Sequence, residues 1–395
     1  MNRTKIINGR ILTPYRIIEN GTVAFENGRI IYAGQGDIEL GDSTIIDAKG
    51  YYVSPGFIDI HTHGGGGHDF MDGTCEAFLG ATEMHGMHGT TSILPTTLTS
   101  TNEELMQTFE IFREAKARNE KGAQFLGLHL EGPYFAMSQR GAQDPRYIRN
   151  PEKNEYEKIL SLSGDIVRWS IAPELDGAIE MGRVLRDMGI LPSIGHSDAE
   201  YEQVQEAFEN GYTHVTHLYS GMSIVHRRNA YRYLGVVESA FLIDNLTVEV
   251  IADGCHLPPA LLQLIYKIKG PSKIALITDS LRGAGMPEGE SIAGSLQNGQ
   301  KVIIEDGVAK LLDRSAFAGS VATTDRLVRT VVKQAGIPLL DAVRMMTITP
   351  AEIIGVDDKK GSLIKGKDAD ILIFDDDVNI KMTVIMGKVV FENNQ

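Results

Sequence analysis

Hydrophobic and polar positions divide this chain into two kinds of pattern. At the amino-terminal end, short apolar alternations read as strands broken by turns: KIINGRILTP, GTVAFENGRIIYAG and TIIDAKGYYVSPG. Asn-Gly pairs at Asn8-Gly9, Asn20-Gly21 and Asn27-Gly28 predict tight β-turns. The closing ADILIFDDDVNIKMTVIMGKVVFENNQ has the same style. Strands at both ends predict one β-sandwich domain built from residues 1–54 and 355–395, enclosing a second domain over 55–354.

Inside that frame the pattern changes. Eight apolar, β-branched runs recur: VSPGFIDIHTH, TSILPTT, QFLGLHLE, IVRWSIAPE, LPSIGHSD, THVTHLYS, LTVEVIADG and KIALITDS. Amphipathic segments such as NEELMQTFEIFREAKARNE, LDGAIEMGRVLRDMG and DAEYEQVQEAFENG lie between them. Strands alternating with helices imply parallel pairing through crossover helices. Eight such units predict a TIM (β/α)8 barrel, in the α/β class. An open doubly wound sheet shares the alternation, so the positions of the polar residues must separate the two.

Composition narrows the partners more than the fold. The 395 residues can bury a large core, and 42% hydrophobic with 23% charged is ordinary for a soluble globular chain. A formal net charge of −14 argues against nucleic acid or an anionic membrane as the main partner. An anionic small substrate would then need a local basic pocket. Cys75 and Cys255 are too few for a disulfide framework. MNRTKIINGR lacks the apolar core of a signal peptide and no run is long enough to cross a bilayer, so a soluble cytoplasmic protein is expected.

The chemistry gathers at strand ends. In FIDIHTHGGGG, His61 and His63 are one residue apart, so on a strand both imidazoles point to one face. Gly64 to Gly67 let the backbone turn away and leave the ring nitrogens uncovered. Two converging imidazoles suit a divalent transition metal. The third predicted strand ends in His129 and Glu131, the fifth in His196, the sixth in His217 and the eighth in Asp279. A TIM barrel collects such ends on its catalytic face. Three histidines and one or two carboxylates with an open water position make a hydrolytic metal site.

The motifs HTHGGGG, HLEGPY, GHSDA, THLYSGM, ADGCH, ITDSLRGAG, AGSVATTD and GSLIKGKDADILIFD run nearly end to end. Together they resemble the amidohydrolase superfamily, and within it the branch that deacetylates N-acetylglucosamine 6-phosphate to glucosamine 6-phosphate and acetate. The resemblance implies that Glu131, His196 and His217 bind the principal metal and that Asp279 transfers protons. His61 and His63 match the pair that binds a second metal in some members, so one or two divalent ions are implied, with zinc or iron foremost. No lysine ends the third or fourth strand to serve as a carbamylated bridge; Glu131 takes that place, and His129 is expected to line the face without ligating.

The resemblance also assigns the substrate. Gly141-Ala142-Gln143 falls where relatives carry a substrate-contacting loop, with Gln143 standing where some have histidine. Phe317, Ala318 and Gly319 align with a second contacting segment, and Ser220 and Gly221 lie near the sugar. Arg228 aligns with a phosphate-binding arginine that reaches the active site of a neighbouring subunit, implying a homodimer; His256 is the expected second phosphate contact. On charge alone, His226 to Arg228 reads as a solvated basic loop. The chain departs from many relatives in having HLYSGM for HLYNAM and RNAYRYLG for an R-x-PG turn. Both changes touch the substrate loop, so a related amino-sugar phosphate such as N-acetylgalactosamine 6-phosphate stays open as substrate. A non-catalytic sugar-phosphate-binding relative is the remaining alternative, against which the retained Asp279 argues.

Overall fold

The computed structural model describes residues 3–393. Its centre is a parallel barrel whose strands follow chain order: Phe57–Thr62, Thr90–Thr97, Leu128–Glu131, Ile166–Ile171, Leu191–Ile194, His214–Val215, Thr247–Ile251 and Ile274–Ile277. Each lies within one of the eight predicted runs, apart from Thr90, which starts the second strand one residue before TSILPTT. The last and first strands meet without a ladder, joined where Asp279 N donates to the His61 carbonyl (2.9 Å) and His63 N to the Ser280 carbonyl (2.9 Å). The closed arrangement excludes the open sheet.

Two runs depart from simple strands for local reasons. QFLGLHLE breaks at Gly127, whose φ is +145° and whose absent Cβ would meet the Asp165 carbonyl at 2.8 Å. The sixth strand stops at Val215 because His217 (φ +27°), Tyr219 (+77°) and Gly221 (+56°) turn the chain out of extended geometry.

The predicted amphipathic segments form helices Asn102–Arg118, Ala178–Asp187 and Tyr201–Glu209. The first begins with a capping box between Thr101 and Glu104 and buries Leu105, Thr108, Phe109, Phe112 and Ala115, a stripe at helical spacing. Among the described residues, no helix is long and apolar enough to cross a membrane.

The terminal segments form one mixed sheet of eight strands. Tyr52–Pro55 is paired with Arg3–Leu12 on one side and with Ile371–Phe374 on the other. The sheet curls over a core of its own that includes Ile6, Val23, Phe25, Val53, Ile371 and Val384. Its far hairpins touch: a Cβ on Gly387 would lie 3.1 Å from the Gly28 Cα. Met1, Asn2, Asn394 and Gln395 of the predicted β domain lie outside the described residues.

Of the three Asn-Gly pairs, Asn27-Gly28 alone makes the predicted hairpin turn, between Glu26 and Arg29. Asn8 (φ +59°) and Asn20 (φ +48°) instead sit within strands. The register between these strands shifts on both sides of Gly9. The left-handed conformation that suits a turn serves an irregularity in a continuing strand equally well.

Sequence reading missed a four-stranded antiparallel insert, Gly289–Ala293, Gln300–Glu305, Val308–Leu311 and Phe317–Ser320. It follows the eighth barrel strand and is tied to the loop after the first. Arg282 pairs with Asp72 (2.8 Å) and donates to the carbonyls of Ile292 (2.9 Å) and Gly294 (2.6 Å). Asp69 accepts from Gly294 N (3.1 Å).

A buried cation joins the curled sheet to the barrel. Lys360, 6% exposed, contacts Asp370 (2.6 Å), Asp368 (2.9 Å) and the Gln124 side chain, which belongs to the barrel sheet. Removing one partner of a buried ion pair leaves the other charge desolvated and unpaired. Lys360→Met is expected to cost about 3–5 kcal/mol, read as a shifted denaturant midpoint. A change within 0.5 kcal/mol, the range of an ordinary surface substitution, would mean the cluster is dispensable.

Candidate metal centre

The strand ends place six side chains in two buried groups: His61, His63 and Asp279, and Glu131, His196 and His217. Within each group the candidate ligand atoms lie within 4.8 Å of one another. Glu131 connects them. Its Oε1 lies 3.0 Å from His217 Nε2, 3.3 Å from His196 Nε2 and 3.5 Å from His61 Nε2. Its Oε2 lies 3.5 Å from His63 Nε2. Asp279 Oδ1 is 3.2 Å from His63 Nε2 and 3.4 Å from His61 Nε2.

Three of the four imidazoles are aimed from behind. His63 Nδ1 donates to the Thr96 carbonyl (3.2 Å) and His196 Nδ1 to the Gln139 carbonyl (2.7 Å). His61 Nδ1 faces Glu249 Oε2 at 3.1 Å. Carbonyls and carboxylates only accept, so each Nδ1 carries a proton and each Nε2 is the nitrogen left to bind an ion, as in a ligating histidine. His61 Nε2 is buried and makes no hydrogen bond among the described residues, a gap that a cation would fill. The donor set therefore fits one or two divalent ions.

The electrostatics agree. Burial pushes the Glu131 carboxyl up, but His61, His196 and His217 outweigh it and hold it well below the usual carboxylate range. Burial opposes charge on His63 as well, yet Asp279 and Glu131 push it up to about 9. Two carboxylates thus demand positive charge at the centre.

Backbone strain marks the same residues. His196 (φ +47°), His217 (+27°) and Asp279 (+46°) occupy left-handed conformations that non-glycine residues rarely adopt, at a cost of order 1–3 kcal/mol each. Gly221 (φ +56°) leaves room for one of them: a Cβ there would lie 2.7 Å from His196 Nδ1 and 2.9 Å from the Gln139 carbonyl.

These groups open into a cavity of about 220 Å³. Ala142, Gln143, Ser220 and Gly221 form part of its wall, and His256, Phe317, Ala318 and Gly319 another part. Phe317 to Gly319 come from the insert, which is why that sheet matters to the site. His256 is set by Asp253 Oδ2 (2.8 Å) and packs on the Phe317 ring at 4.8 Å between centroids. The Gln143 amide is partly committed, since Oε1 accepts from Thr99 N (2.9 Å) and Nε2 donates to Glu131 Oε2 (2.6 Å). His129 belongs to neither ligand group; its ring nitrogens meet Ser170 Oγ (2.7 Å) and Thr96 Oγ1 (3.2 Å).

Arg228 does not reach the cavity of its own chain. It sits on an exposed hairpin, His226–Arg228 paired with Tyr231–Tyr233, against Glu200 (2.8 Å) and the Tyr233 ring (3.9 Å). Sequence reading missed Glu249 and Arg168, both fully buried and ion-paired. The available signal was a charge in the middle of each apolar run, Glu249 in LTVEVIADG and Arg168 in IVRWSIAPE.

Comparison with known proteins gives consistent matches. The family described as "Amidohydrolase family" matches residues 52–390. The N-acetylglucosamine-6-phosphate deacetylase of Bacillus subtilis is 34% identical over 386 residues, covering 96% of this chain and 95% of that protein. An N-acetylgalactosamine-6-phosphate deacetylase from Escherichia coli O157:H7 is 33% identical, covering 85% and 87%. A solved mutant of the Mycobacterium smegmatis N-acetyl-D-glucosamine-6-phosphate deacetylase, in complex with N-acetyl-D-glucosamine-6-phosphate, superposes with a TM-score of 0.90 at 28% identity. That match covers 99% of this chain and 100% of the other.

Proposed function

The chain belongs to the amidohydrolase family, and from that premise we propose that it hydrolyses the N-acetyl group of N-acetylglucosamine 6-phosphate to glucosamine 6-phosphate and acetate. The observation that carries this reading is the convergence of the two ligand groups, Asp279 among them, at one cavity walled by Gln143, Ser220, His256 and Phe317.

Glu131, His196 and His217 would hold the principal ion, and His61 and His63 a second beside Asp279. Held there, a divalent ion such as zinc or iron would supply an activated water and a Lewis acid for the acetyl carbonyl. Asp279 accepts the proton of the attacking water through Oδ1 and returns it to the departing amine nitrogen. Gln143, with one amide N–H given to Glu131, has a second to offer the substrate. His256 meets the phosphate within the subunit, while Arg228 meets it from a neighbouring one in a homodimer. Its place on an exposed hairpin that does not line its own cavity supports that assignment. The protein is assigned to the cytoplasm, with the β domain over 1–54 and 355–395 and the hydrolase domain over 55–354.

Two measurements test the reading. Acetate release should be fast from N-acetylglucosamine 6-phosphate, slower from its galacto epimer, and lost on chelation. Indifference to the 6-phosphate would sink the assignment. Preference for the galacto epimer would transfer it to that substrate, the one on which the similar Escherichia coli protein acts. Arg228→Ala and Asp279→Asn chains, each weak alone, should regain activity when mixed, because a mixed dimer contains one complete site. No recovery would place the phosphate contact within the subunit.

A further inference from the structure

Glu249 lies on the seventh barrel strand, fully buried, and does not line the cavity. It nevertheless touches one ligand from each group. Oε2 accepts from His61 Nδ1 and from the His217 backbone N–H, both at 3.1 Å. Oε1 pairs with Arg168 Nη1 and lies 3.5 Å from His214 Nε2.

Arg168, on the fourth strand, is itself locked in place. It donates to the Ile60 carbonyl (3.1 Å), Ser193 Oγ (3.0 Å) and Thr216 Oγ1 (2.9 Å), on or beside the first, fifth and sixth strands. The carboxylate therefore has one orientation available.

We propose that Glu249, clamped by Arg168, is a positioning residue that fixes His61 in the Nδ1–H tautomer and thereby decides whether the His61–His63–Asp279 group takes an ion. The proposal rests on the metal-dependent reading above. An ionised carboxylate offers only acceptors, so the proton between it and His61 stays on Nδ1, and Nε2 faces the centre with its lone pair free.

Glu249→Gln keeps the shape and reverses this logic. Arg168 offers only donors, so the amide oxygen must take the Oε1 position. The amide NH₂ then faces His61 Nδ1, which must accept. The imidazole proton moves to Nε2 and removes the lone pair a metal needs. The same NH₂ opposes the His217 N–H, so some loss of stability is also expected.

The test uses the full chain labelled with ¹⁵N-histidine. In the metal-free parent, nitrogen–proton correlation should show His61 as the Nδ1–H tautomer; in Glu249→Gln it should show Nε2–H. Zinc titration should show the first ion retained and the second weakened about 10–100-fold, the usual effect of losing an outer partner. A role in stability alone would lower the melting temperature and leave the tautomer unchanged. An unchanged tautomer, or an unchanged second affinity, overturns the proposal. If Glu249→Gln does not fold, Arg168→Met with Glu249→Leu removes both charges and should give His61 mixed tautomers; a pure Nδ1–H signal there overturns it equally. A parent chain that takes up no zinc would defeat the metal-dependent reading, while the tautomer experiment still decides the role of Glu249.

Discussion

Asp279→Asn should retain its metal and lose nearly all turnover. Asparagine preserves the shape of the side chain and the backbone link from residue 279 N–H to the His61 carbonyl that closes the barrel. It does not touch Glu131, His196 and His217, which form the principal ligand group. What it removes is the acceptor for the water proton and the donor for the amine. General acid–base catalysis contributes about 10²–10⁴-fold, so kcat should fall by that factor while KM changes little. Acetate release paired with metal analysis of the same preparation checks this. Near-normal turnover would take Asp279 out of the mechanism; lost metal would make it chiefly a ligand.

Glu131→Ala should have the opposite signature, losing metal and activity together. Both Glu131 oxygens are engaged, Oε1 facing His61, His196 and His217 and Oε2 facing His63 and Gln143. Without it, four imidazoles and one carboxylate remain, and the two groups lose their shared member. A catalytic ion is worth several kcal/mol of charge stabilisation, which at about 1.4 kcal/mol per tenfold is about 10³-fold in rate. Bound metal also stabilises the folded state by mass action, so the melting temperature should drop to that of the chelated parent. Full metal content in this variant would move the ligand set elsewhere.

Much of this was visible in the chain because the governing rules are local. Alternation on a strand puts His61 and His63 on one face whatever surrounds them, and eight apolar runs separated by amphipathic helices leave a closed parallel barrel as the economical solution. The ends of those runs then had to meet, so candidate ligands could be read at them, while their division into two groups came from the resemblance. Arg228 was legible only through resemblance, since a basic hairpin on the surface carries no local sign of what it serves.

Other features depend on relations between distant segments. Glu249 and Arg168 each look like one polar position in an apolar strand, and only the closed barrel brings their charges together. The insert over 289–320 has short strands without a strong period, and its value lies in carrying Phe317 to Gly319 to a cavity formed elsewhere. The left-handed conformations of His196, His217 and Asp279 are imposed by the surrounding structure on residues that do not favour them.

Sequence by itself therefore determined which residue types stand at the strand ends and which face they share, because pleat and helix periods act within a few residues. Tertiary structure alone decided that Glu131 joins two groups, that Gln143 is tied to it, and that a buried carboxylate aims His61. Those outcomes follow from distances across the barrel, which no local period contains.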